Sequence, residues 1–335
     1  MRVRRSLSTP RRAIGALAAA GALLAATLLQ AGTAAAATSA DAAPTPADAA
    51  PAFEQRQSRD LNAFWTAERM RAAKPLDVLP VKAGDLLAKI RSGAELRVPP
   101  TGVNPGTQAF PQRGGPWDGG GAVTTTSGRV FFTYQGRTAS CSGNAVTSAN
   151  KSTVLTAGHC VKLDGAWHTD WVFVPNYRDG NAPYGKWTAA KTLATPQWVA
   201  SEDINYDVGA AVVNPLDGQR LTDVVGAQGV AFNTGYNKAM YAFGFPAADP
   251  YDGSRLIYCS GNSFRDFLFS TANGLSCDMT GGSSGGPWFQ DFDESTGKGL
   301  QNSVNSFGYV FLPGYMFGPY FGDDAKNLYQ TAQAG

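Results

Sequence analysis

The chain has few of the residues that hold metals: two histidines, His159 and His168, in 335 positions, and four cysteines with no C-x-x-C pair among them. Structural zinc sites are commonly built from such pairs, so neither zinc nor another metal or cofactor is expected. Lysine and arginine do not cluster beyond the first twelve residues, which removes the electrostatic footprint of a nucleic-acid binder. No segment repeats at a fixed period, so a solenoid or propeller is excluded. Nor is there a strongly apolar run of about 20 residues, the length a membrane-spanning helix needs. The best candidate, residues 13–29, is rich in alanine.

What stands at the start instead is an export signal. Arg2, Arg4, Arg5, Arg11 and Arg12 precede that apolar run, and Ala35-Ala36-Ala37 follows it as an A-x-A cleavage site. Residues 1–37 therefore read as a removable signal peptide, and the mature protein as secreted, extracellular and free of the membrane. Arg11-Arg12 also fits a twin-arginine signal, although the plain secretory route is preferred. The full chain has a formal net charge of +2, and losing five arginines leaves about −3. All four cysteines lie after residue 140, and an even number on the oxidising side of a membrane favours two disulfides. Three pairings exist; proximity in sequence favours Cys141–Cys160 and Cys259–Cys277.

The texture of the chain changes twice. Residues 38–51 are Ala, Pro, Thr and Asp with one Ser, a composition that builds no core. Over residues 53–73, Leu61, Phe64, Trp65 and Met70 recur at near-helical spacing up to Pro75, and a shorter helical stretch is expected around 85–90. Residues 99–121 are rich in Pro and Gly and read as a linker. From residue 122 short β-type runs alternate with turn residues: 129–134, 153–156, 171–174, 208–213, 240–245, 255–259, 287–289 and 304–311. That pattern indicates an all-β sandwich or barrel over residues 122–335. A partly helical segment before it, residues 38–121, reads as a propeptide; the alternative is an extension that stays packed on the domain.

Three motifs carry chemistry. Thr156-Ala157-Gly158-His159-Cys160 follows the strand at 153–156, so the imidazole projects from a strand end, and Cys160 would fix its loop. A general base needs that immobility, because proton transfer requires hydrogen-bond reach of the nucleophile. Gly281-Gly282-Ser283-Ser284-Gly285-Gly286-Pro287 allows a tight turn that a substrate backbone can approach. In it the N–H groups of Gly282 and Ser284 can converge on an oxyanion. The same residues satisfy G-x-S-x-G with Ser284 central, but α/β-hydrolases place their histidine after the serine, and none follows position 168 here. The third member is a carboxylate, chosen from Glu202, Asp203 and Asp207; Asp207 is preferred because it opens the apolar run 208–213. His168, near Trp167 and Trp171, reads as a packing residue.

The order His159, Asp207, Ser284 within these motifs resembles the chymotrypsin-like (trypsin-fold) serine proteases, and within them the bacterial glutamyl endopeptidase (V8-like) branch. Gly244-Phe245-Pro246 and Tyr258-Cys259-Ser260-Gly261 are similar to that branch as well. The resemblance spans roughly residues 122–320. It implies two packed six-stranded antiparallel β-barrels with a cleft between them, His159 and Asp207 on the first and Ser284 on the second. It also implies a protein or peptide substrate, an acyl-enzyme on Ser284, and no partner beyond the protein's own propeptide; a monomer is expected. Ser306-Phe307-Gly308 would be the edge that pairs with substrate.

This sequence departs from the family twice. Ser283 stands where animal trypsin-like enzymes have an aspartate that pairs with a new N-terminus, so that activation route is not expected. Asn305 stands at the position of the glutamyl enzymes' substrate-binding histidine, and Asp278 lies six residues before Ser284, the offset of trypsin's pocket aspartate. The preference for the residue before the cut is thus open between acidic and basic, with Asp278 as a turn residue beside Cys277 the favoured reading. A silent peptide-binding relative and an esterase on the same triad are the alternatives to an endopeptidase.

Overall fold

The computed structural model describes residues 49–57, 59–81, 91–100 and 109–335. The expected signal peptide and the helix expected at 85–90 lie outside the described residues. Six strands form a closed antiparallel barrel: Ser127–Tyr134, Arg137–Ala145, Thr153–Thr156, Gly209–Val213, Trp187–Ala194 and Thr169–Pro175, the last pairing back to the first. Gln135 (φ 48°) and Gly136 (φ 76°) make the two-residue turn between the first pair, both at the positive φ that matches the twist of a hairpin. Alternation fills the barrel: Val130, Phe132, Trp171 and Phe173 face the inner core. Their neighbours Phe131, Val172 and Val174 face outward, yet belong to a second buried cluster. Both faces of these strands are covered, which is why they read as continuous apolar runs.

The second half rings another core in two sheets. Ala239–Gly244 pairs with Ile257–Asn262 and with Pro287–Asp293, which pairs with Lys298–Val304. After a break at Asn305-Ser306 the chain resumes as Phe307–Tyr309, which pairs with Tyr315–Gly318 and through it with Asn273–Ser276. Asn273–Ser276 lies beside Ile257–Asn262 without a shared ladder, and the disulfide Cys259–Cys277 spans that gap. The two-barrel expectation therefore holds, with the first barrel closed and the second open along one seam. The other disulfide is Cys141–Cys160, as proximity suggested.

The described residues between 49 and 116 depart from their expected form. The helix expected over 53–73 is a strand, Ala52–Glu54, and two short helices, Leu61–Phe64 and Ala67–Ala72. Asp60 and Thr66 cap the two helices; Thr66, in extended backbone, breaks the run between them. The stretch read as a linker contains the strand Gln112–Pro116, paired with Ile257–Asn262. The segment adds strands to both halves: Ala52–Glu54 and Lys74–Pro75 to the first, Leu79–Val81 and Leu96–Val98 to the second.

At the other end, Asp323–Gln333 is a helix not anticipated above. Its acidic first turn, Asp323 and Asp324, suits the positive end of the helix dipole. Ala325, Leu328, Tyr329 and Ala332 share one face and complete the core of the first barrel.

Candidate active site

His159 sits in the single 3-10 turn Gly158–Cys160, directly after Thr153–Thr156. Asp207 ends the 3-10 turn Ile204–Tyr206 and precedes the neighbouring strand Gly209–Val213. Those two strands pair Gly209 with Thr156, so the ladder itself brings the imidazole and the carboxylate together. Asp207 holds His159 twice: Oδ1 accepts from the His159 backbone N–H and Oδ2 contacts Nδ1, each at 2.7 Å. Oδ2 also accepts from the Ser306 hydroxyl at 2.6 Å. A carboxylate taken out of water requires partners of this kind. A side chain at Gly158 would put its Cβ 2.7 Å from the Trp198 ring and 2.9 Å from Asp207, so only glycine lets this turn close. Of the other acids, Glu202 accepts from Lys162 and Asp203 from Asn205, so neither reaches the imidazole.

Ser284 lies in the turn before Pro287–Asp293. Gly282 (φ 91°) and Gly285 (φ 78°) flank it in a conformation that favours glycine. The turn is clamped from both halves. Ser142 N–H donates to the Ser284 carbonyl (2.7 Å) and Ser142 Oγ to the Gly282 carbonyl (2.9 Å). Gly285 N–H donates to Asn305 O (2.7 Å). Ser283 is buried and donates its hydroxyl to Thr280 O at 2.7 Å. His159, Asp207 and Ser284 are all fully buried, and among the described residues His159 Nε2 has no hydrogen-bond partner. The Ser284 hydroxyl instead faces the carbonyl oxygen of Asp77 at a long 3.5 Å, while Gly282 N–H donates to Leu76 O at 2.8 Å.

The expected substrate-side residues separate. Ser306, Phe307 and Gly308 form an edge beside Ser284, which Leu79–Val81 occupies. Asp278 is exposed, accepts from the Tyr251 hydroxyl at 2.6 Å, and lines a cavity of about 410 Å³ with Met279, Gly308 and Met316. Burial, and then this bond, push the Tyr251 hydroxyl's pKa well up. Asn305 differs from expectation. Its amide donates to Phe243 O (2.8 Å) and Ser283 O (3.0 Å) and accepts from the Trp288 indole N–H at 2.7 Å. No amide hydrogen is left for a substrate carboxylate, because the side chain is turned into the barrel to tie the Ser284 turn to the strand.

His168 is a packing residue, as expected, and it also braces His159. Its Nε2 contacts the His159 carbonyl oxygen at 2.9 Å, and its ring stacks on Phe132 with centroids 4.3 Å apart. Burial lowers its pKa to about 4, so the ring is neutral at neutral pH and Nε2–H is the donor. The signal available in sequence was a nine-residue separation from His159, too weak to place one under the other.

No family model matches the chain. A curated protein of Bacillus subtilis (strain 168), described as an extracellular metalloprotease, is 35% identical over 82 residues, 24% of this chain and 25% of that protein. The chain thus matches a quarter of that relative's length. Among the described residues, Cys141, His159 and Cys160 bring donor atoms close together. The two sulfurs are bonded to each other and His159 Nδ1 is held by Asp207, so this group does not fit a metal. Protease Anisep from Arthrobacter nicotinovorans is 46% identical, with a TM-score of 0.60 over 64% of this chain and 98% of that one. The thermostable serine protease AL20 from an extremophilic microorganism is 40% identical, again with a TM-score of 0.60, over 64% and 99%. A Glu endopeptidase at 16% identity and TM-score 0.54, covering 68% and 99%, shares the fold. With nearly the whole length of two solved proteases matched at such identity, on a closed six-stranded barrel beside a second β-ring, the chain belongs to the chymotrypsin-like (trypsin-fold) serine proteases.

Proposed function

We propose that this protein is a secreted serine endopeptidase that cuts peptide bonds through an acyl-enzyme on Ser284. The observation that carries the reading is the double hold of Asp207 on His159, through the backbone N–H and Nδ1, which leaves Nε2 as the free ring nitrogen. In the reaction Ser284 Oγ attacks the scissile carbonyl carbon while His159 Nε2 takes its proton. Asp207 holds the tautomer and stabilises the imidazolium. The Gly282 and Ser284 N–H groups receive the oxyanion. The C–N bond then breaks, His159 returns the proton to the leaving amine, and water repeats the sequence on the ester.

Residues 1–37 direct export, and residues 38–121 act as a propeptide that is later removed. Ser306, Phe307 and Gly308 take the substrate backbone, as strand addition to a free edge requires. Asp278 supplies the only charge among the cavity-lining residues of the domain itself, which favours a basic over an acidic residue before the cut. The test is proteomic mapping of cuts in a denatured protein mixture by processed enzyme and its Ser284→Ala variant. Cuts that vanish in the variant, with activity down by about 10⁴-fold or more, support the reading. A folded, processed sample that makes no Ser284-dependent cut would return the protein to the esterase or peptide-binding alternatives.

A further inference from the structure

We infer that residues 74–81 are a built-in inhibitor, threaded through the cleft in the opposite direction to a substrate and therefore held without being cut. The inference rests on the peptidase reading of Ser284. Lys74–Pro75 pairs with Arg137–Ala145 in parallel, Lys74 opposite Ala139 and Pro75 opposite Ser140. Leu76 N–H then donates to Ser140 O at 2.9 Å and Leu76 O accepts from Gly282 N–H at 2.8 Å. Asp77 O meets the Ser284 hydroxyl, and Leu79 N–H donates to Ser306 O at 3.1 Å. Leu79–Val81 finally pairs in parallel with Phe307–Tyr309. Between these anchors Val78 packs on the cluster that holds Cys277, Met279 and Met316.

Direction decides what this contact does. His159 returns the proton to the leaving amine, and Cys160 beside it is bonded to Cys141 beside Ser140, so the edge at Ser140 takes the amine half and the edge Ser306–Gly308 the acyl half. A productive peptide runs from Phe307–Tyr309 toward Ser140, antiparallel to both edges. Residues 74–81 run from Ser140 toward Tyr309, parallel to both. At every carbonyl near Ser284 the acyl side therefore points the wrong way. The segment also disarms the groups it covers. Leu76 O takes one N–H of the oxyanion pair, and the Ser284 hydroxyl turns to Asp77 O, leaving His159 Nε2 unpartnered among the described residues. The inhibitor thus needs no special sequence at the point of contact, only reversed polarity and apolar anchors at Leu76, Val78, Leu79 and Val81.

The test uses the full chain and a fluorophosphonate probe that labels an activated serine, with Ser284→Ala as the blank. Val78→Asp together with Leu79→Asp should raise the rate of Ser284 labelling at least tenfold over the unaltered chain. Leu79→Pro, a milder change that removes the N–H donated to Ser306 O together with one apolar anchor and adds no charge, should raise it several-fold with an unchanged circular dichroism spectrum. Mass spectrometry of the incubated full chain should find no Ser284-dependent cut between Lys74 and Val81. Equal labelling of the unaltered chain and both variants, or a Ser284-dependent cut inside that segment, overturns the inference and leaves the peptidase reading standing. If no form is labelled, including chain nicked by added protease between residues 82 and 121, the peptidase reading falls and the inference with it.

Discussion

At the scale of single residues, His168 shows how a buried histidine serves another. It never reaches Ser284, but it holds the His159 carbonyl from below while Asp207 holds the N–H and the ring. Its pKa, lowered to about 4 by burial, has a consequence for stability. Above pH 6.5 the ring is neutral in both folded and unfolded chains, and its packing contributes in full. Below that the unfolded chain binds a proton that the folded one refuses, so stability falls as the pH drops toward about 4, by up to about 3 kcal/mol. His168→Gln keeps an N–H in place of Nε2–H and cannot titrate. Thermal unfolding between about pH 7 and pH 4 should therefore show a shallower loss of Tm for this variant than for the parent. Parallel curves would assign the acid sensitivity elsewhere.

At the scale of elements, the ends of strands do the positioning and the rest of each strand makes them stiff. Thr153–Thr156 and Gly209–Val213 are fully buried neighbours, and His159 and Asp207 inherit their register. The Ser284 turn depends on absent side chains: a Cβ at Gly285 would lie 2.1 Å from Thr156 Oγ1, and one at Gly286 2.0 Å from Phe243 O. The helix Asp323–Gln333, although it follows the second β-ring in the chain, completes the first barrel's core. Leu328 is wholly buried there, and Leu328→Ala should cost about 2–5 kcal/mol by transfer and cavity terms. A urea titration that gives a loss of unfolding free energy under a quarter of that amount would show the helix to be peripheral.

At the scale of the whole molecule, the described residues before 117 are woven into the domain rather than appended to it. Trp65 is fully buried against Phe131, and its Nε1–H donates to Asp170 O at 2.8 Å. Leu61, Met70 and Ala73 share that cluster on the outer wall of the first barrel. Trp65→Ala should therefore destabilise the full chain by about 3–5 kcal/mol, read by calorimetry. A full chain that melts at the parent temperature would mean the segment is docked too weakly to brace the barrel. The wall and the cleft are covered by one continuous stretch, residues 59–81, so loosening the wall also loosens the strand over Ser284.

Local signals in the sequence were enough for the β character of residues 122–335, for both disulfide pairings and for the family, because strand alternation and the short motifs around His159, Asp207 and Ser284 need no distant partner to be read. The strand at 153–156 was legible to the residue, since it is apolar, short and ends in the motif itself. Strands such as Arg137–Ala145 and Asn273–Ser276 were not, because Ser, Gly and Asn there are held by neighbours rather than by propensity. The fates of Asn305 and Leu79–Val81 were settled in three dimensions. An amide is assigned to substrate or to scaffold by what surrounds it, and here Phe243, Ser283 and Trp288 claim it. A short apolar stretch becomes a strand over Ser284, and in one direction only, when an edge far along the chain is free to receive it.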